Sequence, residues 1–183
     1  MKFRSCLTQI QVWAQGKSMT KILKESRIKT PIGDMRVIAD DSALYLLEFY
    51  EEDKPVRLPH TIEVGNTKIS EQVTEELKAY FSGTLKSFGT PLAYTGTDFQ
   101  CGVWDTLKTI PYGETFSYAK QAANMNKPRA VRAVANANRL NKIAIIIPCH
   151  RVIGSDGSLT GYAGGLDKKK WLLDHEARNT ANL

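Results

Sequence analysis

Cysteine is scarce in this chain: Cys6, Cys101 and Cys149 are the only three in 183 residues, an odd number with no CxxC spacing. That pattern indicates neither a disulfide framework nor a zinc ribbon, and a reducing compartment is its natural setting. Histidine is just as sparse, with only His60, His150 and His175. No apolar run approaches the ~18 residues that a membrane span requires. The first 24 residues contain no acid, yet carry Lys2, Arg4, Lys17, Lys21 and Lys24. With no apolar h-region or small-residue cleavage site, residues 1–25 read as an N-terminal extension and not a secretion signal. Acids run short again later. Residues 1–98 balance 13 Lys+Arg against 13 Asp+Glu, whereas residues 99–183 hold 12 against 6, so the net charge of +6 lies entirely in the second half. An uncompensated basic half points to a polyanion, most simply nucleic acid, with a solvated basic face as the plain alternative.

What is present suits a buried core: 42% of residues are hydrophobic and 24% charged, enough for one large domain or two small ones. Residues 26–94 read as mixed strand and helix. Met35–Ala39 and Ala43–Leu47 are apolar runs separated by the turn signal Asp40-Asp41-Ser42, a hairpin. Val73, Leu77 and Tyr80-Phe81 recur at helical spacing, with Ser70 as N-cap and Gly83 as stop. This half gathers no catalytic residue types, and His60 sits in a polar, proline-flanked stretch, so it reads as scaffold.

From residue 95 onward the pattern is mostly helical. Val103, Trp104, Leu107 and Ile110 share a face. Ser117 caps a short helix, and after a turn Pro128 suits the first position of another. Helix, short turn, helix in a basic region is the shape of a helix-turn-helix reader. Its second helix combines the small Ala130, Ala133, Ala135 and Ala137 with the long Arg129, Arg132 and Arg139. An alanine-rich core helix with arginines in water would look the same. Ile143–Ile147 then suits a short strand buried on both faces, ended by Pro148. Cys149 and His150 follow: either a small hydrophobe beside a core imidazole, or a nucleophile beside its base. The closing helix presents Trp171 and His175 one turn apart, and Leu172 and Glu176 likewise.

The runs "FQCGVWDTLKTIPYGETFSYAKQAA", "PRAVRAVANAN", "IIIPCHRVIG" and "GYAGGLDKKKWLLDHE" resemble the O6-alkylguanine–DNA alkyltransferases from Phe99 to Glu176, and "TPIGDMRVIADDSALYLLEF" extends the likeness more weakly into the first half. The resemblance implies an α/β (α+β) fold. A small mixed N-terminal domain with antiparallel strands, ribonuclease-H-like, spans 26–94. A mostly helical DNA-binding and alkyl-transfer domain with a winged-helix-like helix-turn-helix spans 95–183. It implies direct-reversal repair of double-stranded DNA containing O6-alkylguanine, by a monomer in the cytoplasm, or in the nucleus of a eukaryote. The lesion is buried in the base stack, so the nucleotide must be flipped into a pocket. The second helix enters the minor groove, only ~6 Å wide, and small residues such as Ala130 and Ala133 let a ~10–12 Å helix approach. Arg132 fills the gap in the stack, while Lys127 and Ser155 contact the backbone. Tyr118 crowds the phosphate and then hydrogen-bonds the flipped guanine.

By the same resemblance Cys149 attacks the alkyl carbon, His150 takes its proton directly or through a water, and Glu176 orients the imidazole. Asn141 braces the turn near the thiol. Tyr162, Ala163, Gly164 and Val152 line the pocket. The thioether product cannot be hydrolysed, so each molecule acts once, and no cofactor or catalytic metal is required. Two departures stand out: "NRLNK" replaces the usual "NGxNP", putting Arg139 and Lys142 where glycine and proline would be, and Ala163 replaces a hydroxyl residue. Cys6 also lacks the Cys and His neighbours of the zinc site that some relatives carry. Two alternatives remain at this point, a non-catalytic lesion-binding relative and a helix-turn-helix regulator. The first would lack the thiol, and the second leaves Cys149, His150 and Glu176 idle.

Overall fold

The computed structural model describes residues 4–5 and 21–181. Cys6, and with it the reading of the N-terminal zinc site, lies outside the described residues, as does most of the segment read as an extension. Strand β1 (Arg4–Ser5) pairs antiparallel with β6 (Thr95–Gly96). The main sheet holds β2 (Ile22–Ile28), β3 (Met35–Ala39), β4 (Leu44–Phe49) and β5 (Thr61–Val64), in the order β4-β3-β2-β5. The first three run antiparallel, and β5 joins β2 in parallel at the edge. β2 therefore starts before residue 26, inside the stretch read as an extension.

Alternation along β3 and β4 sends side chains to two layers. Met35, Val37, Leu47 and Phe49 enter the main core, while Ile38 and Leu46 join Leu23 in a smaller cluster. Helix α1 (Lys68–Phe81) packs on the main-core side through Val73, Leu77 and Tyr80. Its cap is not Ser70 but Thr67, whose hydroxyl accepts from Ser70 N while the Ser70 hydroxyl accepts from Thr67 N. A capping box places two hydroxyl residues three apart, and sequence inspection picked the wrong member. Gly83 ends the helix at φ +82°, where a side chain would be strained.

In the second half, α2 (Asp98–Lys108) is capped by Thr97 with Gln100, and Trp104 on its buried face donates to Ala137 O at 2.9 Å. Strand β7 (Phe116–Ser117) leads into α3 (Tyr118–Asn124), capped by Ser117 as its hydroxyl predicted. A 3-10 turn at Pro128–Ala130 opens α4 (Val131–Arg139). Gln121 and Asn138 exchange buried side-chain hydrogen bonds of 3.2 and 2.7 Å, fixing α3 against α4. Strand β8 (Val152–Ile153) pairs with β7, and α5 (Leu166–Ala181) closes the fold. No helix among the described residues is long and apolar enough to cross a membrane. Cys149 is the free thiol among the described residues.

The expected strand at Ile143–Ile147 does not form. Ile143 makes one isolated bridge to Leu47, and the chain then coils. Ile146 N reaches back to Ala144 O at 2.8 Å across Ile145, whose φ is +68°. Cys149 N reaches Ile147 O at 2.8 Å across Pro148. Two successive three-residue turns compress the run. A β-branched residue at positive φ costs on the order of 1–3 kcal/mol. Burial offsets this, since Ile143, Ile145 and Ile147 are each at most 1% exposed. A short apolar run reports burial but not the path of the backbone.

Candidate active site

Cys149 opens a 3-10 turn, Cys149–Arg151, that follows this compressed loop. The loop's carbonyls have no neighbouring strand to serve them, and Asn141 fills that gap. Its Nδ2 donates to Ile147 O at 2.8 Å and Ile143 O at 3.3 Å, its Oδ1 accepts from Ile143 N at 3.0 Å, and Nδ2 also points to Cys149 Sγ at 3.3 Å. One side chain thus both braces the turn and donates to the sulfur. Cys149 is partly exposed at the floor of a cavity of about 210 Å³ whose walls include Phe49, Asn138, Asn141, Tyr162, Ala163 and Gly164. Burial pushes the thiol pKa up, and the Asn141 hydrogen bond and the charge of Lys169 oppose that rise.

His150 is wholly buried. Its Nε2 lies 2.8 Å from Glu176 Oε1, and its Nδ1 is buried with no hydrogen-bond partner among the described residues. Burial lowers the imidazole pKa; Glu176 opposes this, while Arg151 and Lys169 add to it. The ring is therefore held neutral, as a base must be. Burial alone would raise Glu176, but hydrogen bonds from His150 and Arg151 and the charge of Arg151 hold it well below the usual carboxylate range. Arg151 grips that carboxylate with Nε at 2.9 Å and Nη2 at 3.0 Å. The thiol, the imidazole and the carboxylate come from one short turn and one helix. Sulfur and imidazole make no direct hydrogen bond, so Nδ1 is the face left for the thiol.

Tyr118 is half-buried at the start of α3, and its hydroxyl donates to Thr160 O at 3.1 Å. Burial raises its pKa, the Thr160 side-chain hydroxyl opposes, and the Cys149 charge adds to the rise. Tyr162 lies close enough to Cys149 and Glu176 for both to raise its pKa beyond what burial alone does. The structure thus brings Cys149, Asn141, Tyr162, Ala163 and Gly164 to one cavity, buries His150 and Glu176 outside its lining, and leaves Tyr118 near enough to feel the Cys149 charge. Val152, expected in the pocket, is 0% exposed and packs in the core; its carbonyl serves Lys169. Lys127, Arg132, Ala133 and Ser155 face solvent, and Ala130 is half-buried. Ala137 is core, so only part of the alanine series is free to meet a groove.

Sequence reasoning missed four residues. Lys169, in the basic run that opens α5, is buried with its Nζ donating to Val152 O at 2.6 Å and Thr160 O at 2.7 Å. Burial drops its pKa to about 8, opposed by Cys149. Its spacing of three and seven residues from Leu172 and Glu176 was the available signal. Arg151 was visible as the residue after His150. Phe49 reaches the pocket from the N-terminal sheet, its ring edge-on to Tyr162 at 6.3 Å. Tyr80 reaches Glu176 from α1 at 2.7 Å. Neither of these two carries a local signal, and both bring the first half of the chain into contact with the site. Among the described residues no group of three or more His, Cys, Asp or Glu could hold a metal ion.

Two family models match the chain. Residues 23–94 match the ribonuclease-like domain of 6-O-methylguanine DNA methyltransferase, and residues 98–178 match its DNA binding domain. A Methanosarcina barkeri protein named methylated-DNA–protein-cysteine methyltransferase is 50% identical over 152 residues, 83% of this chain and 96% of the relative. A Mycobacterium bovis protein of the same name is 45% identical over 158 residues, 85% of this chain and 94% of its own. A crystal structure of the Mycobacterium tuberculosis O6-methylguanine methyltransferase superposes with a TM-score of 0.77 at 43% identity, covering 86% of this chain and 94% of that one. The M. tuberculosis protein in complex with DNA gives 0.76 at 42% identity, covering 87% and 94%.

Proposed function

The chain belongs to the 6-O-methylguanine DNA methyltransferase family, enzymes of direct-reversal DNA repair, and from that premise we propose that Cys149 takes the alkyl group of O6-alkylguanine irreversibly. DNA is the partner. The observation that carries the assignment is a partly exposed thiol at a cavity floor, beside a buried neutral imidazole that is itself held by a buried carboxylate.

In this reading α4 and the 3-10 turn that opens it enter the minor groove through Ala133 and Ala130. Arg132 replaces the extruded nucleotide in the stack, and Lys127 and Ser155 hold the phosphates. The flipped base enters between Tyr162-Ala163-Gly164 and Asn141, and Tyr118 leaves Thr160 O to donate to a guanine ring nitrogen. Cys149 passes its proton to His150 Nδ1, directly or through a water, and Glu176 stabilises the imidazolium. Lys169, whose cation lies near the sulfur, favours the thiolate. The sulfur lone pair forms the S–C bond as the C–O6 bond breaks, and the electron pair stays on guanine; Tyr118 passes its proton to the guanine ring nitrogen so that neutral guanine leaves, and the proton taken up by His150 returns through water to the tyrosinate, leaving thioether, neutral imidazole and neutral phenol. The thioether is final, so one chain repairs one base. The proposal includes the division into residues 26–94 and 95–183, action as a monomer, and a cytoplasmic setting. Binding-only and regulator readings are not favoured, because the curated relatives are named as methyltransferases.

Cys149→Ala separates grip from chemistry. The variant should bind an O6-methylguanine duplex as tightly as the unaltered protein and leave the base methylated. Methyl loss from the DNA with this variant would exclude the assignment.

A further inference from the structure

Tyr80 sits near the end of α1, in the half of the chain that does not carry the nucleophile, yet its hydroxyl donates to Glu176 Oε1 at 2.7 Å. That oxygen also meets His150 Nε2 at 2.8 Å and Arg151 Nη2 at 3.0 Å, while Oε2 accepts from Arg151 Nε at 2.9 Å and Gly113 N at 3.1 Å. Five contacts crowd a carboxylate that offers about four lone-pair positions, so its donors compete for one charge. The phenol cannot turn away. Tyr80 is 0% exposed, with ring centroids of Phe81, Phe88, Tyr112 and His175 at 5.3, 5.5, 5.9 and 5.4 Å. His175 Nε2 also hydrogen-bonds Tyr80 O at 2.8 Å. Packing, more than the hydrogen bond itself, aims the hydroxyl at the carboxylate.

We propose that Tyr80 is a positioning residue for alkyl transfer: it fixes Glu176 against His150 and, by sharing Oε1, keeps the imidazole neutral and ready for the Cys149 proton. This rests on His150 being the base. The titratable and charged groups around His150 are Glu176 and Lys169 from α5, Arg151 and Cys149 from its own turn, Tyr80 from α1, and Tyr162 and Tyr112 beyond the carboxylate. Arg151 and Lys169 oppose an imidazolium and Glu176 favours it. Tyr80 weakens the favouring side without adding charge. Burial and the Glu176 carboxylate raise its own pKa, so it stays a donor.

The test is Tyr80→Phe in the full chain, which removes one oxygen and keeps the ring. Two readouts are needed: the ¹⁵N titration of the His150 ring without DNA, and the pH dependence of single-turnover methyl transfer from an O6-methylguanine duplex. Both the ring titration and the acid limb of the rate should move up by about one pH unit, roughly a tenfold loss of neutral imidazole below the limb. The alkaline plateau should change little. A ring titration that stays put or moves down would overturn the proposal, even if the variant is less stable. If Tyr80→Phe does not fold, 3-fluorotyrosine at position 80, a stronger donor, should move the ring titration down; no movement would again overturn it. If the unaltered protein transfers no methyl group, the reaction assignment fails, while the ring titration still decides the role of Tyr80.

Discussion

Replacing Glu176 by Gln takes one charge from a side chain that is 1% exposed and receives two hydrogen bonds from Arg151 and one each from Tyr80, His150 and Gly113. His150 and Tyr80 can adapt, one by changing tautomer and the other by turning its hydroxyl into an acceptor. Arg151 cannot: it has no acceptor function, and its side chain is 8% exposed. Its remaining bond, Nη1 to Ile110 O at 2.6 Å, leaves the cation without a counter-charge. Breaking a buried pair on one side costs about 3–5 kcal/mol. Against a total stability of roughly 5–15 kcal/mol this is a large share. At ~2–4 °C per kcal/mol it lowers Tm by about 6–20 °C. Urea unfolding at neutral pH, followed by tryptophan fluorescence, gives the first figure and calorimetry the second. Glu176→Gln combined with Arg151→Met should recover much of the loss, since the stranded charge is gone. A single-variant loss under about 1 kcal/mol, or strict additivity in the pair, would refute the view that this carboxylate neutralises a buried cation. The pH dependence has a definite sign. Glu176 is depressed from 4.5 and His150 from 6.5, so below each of those values the unfolded chain binds more protons. The Glu176 contribution is complete above 4.5 and is lost as pH falls through its depressed value. The His150 cost begins below 6.5. Stability therefore declines as pH falls below 6.5 and more steeply below 4.5, with a shallower second slope in Glu176→Gln.

Further outcomes follow from single contacts. Asn141→Ala strands the Ile143 amide and takes one of two donors from each of the Ile143 and Ile147 carbonyls, so thermal unfolding should show a loss of about 1–3 kcal/mol, with slower iodoacetamide capture of Cys149; unchanged capture would deny Asn141 its donor role at the sulfur. A Cβ at position 164 would strike the Phe49 ring. Gly164→Ala should therefore slow methyl transfer, and adding Phe49→Ala should restore it; failure of the rescue would mean that the ring is not the obstacle. Lys169 is lowered from 10.5 to about 8, so its buried charge burdens the fold below that value and is relieved as pH rises towards 10.5. Lys169→Met should flatten that alkaline rise in stability, and an unchanged slope would contradict the burial argument. Arg132→Ala should impair repair of duplex DNA far more than repair of single strands, and equal losses would remove its intercalating role.

The sequence made the paired strands and most helices legible because their signals are local. Asp40-Asp41-Ser42 states a turn, and Asp40 does accept from Ser42 N and Ala43 N. Ser117 states a cap. Ile143–Ile147 was misread because five apolar residues encode burial and not path; the coiling rests on Asn141, whose amide serves carbonyls up to six residues away. Cys149, His150 and Glu176 were singled out through resemblance, and the structure sets His150 Nε2 2.8 Å from Glu176 Oε1. Lys169 was hidden among three lysines that composition treats alike, although only one turns inward. Tyr80 and Phe49 could not be found at all, because their partners lie 96 and more than 100 residues away along the chain.

The most direct test is a titration of the protein with duplex DNA carrying one O6-methylguanine, read by intact mass and peptide mapping. Guanine restored should equal protein consumed and then stop, with a single methyl group on Cys149 of every reacted chain. Continued turnover, a methyl group on another residue, or folded and reduced protein recovered unmodified would contradict the account.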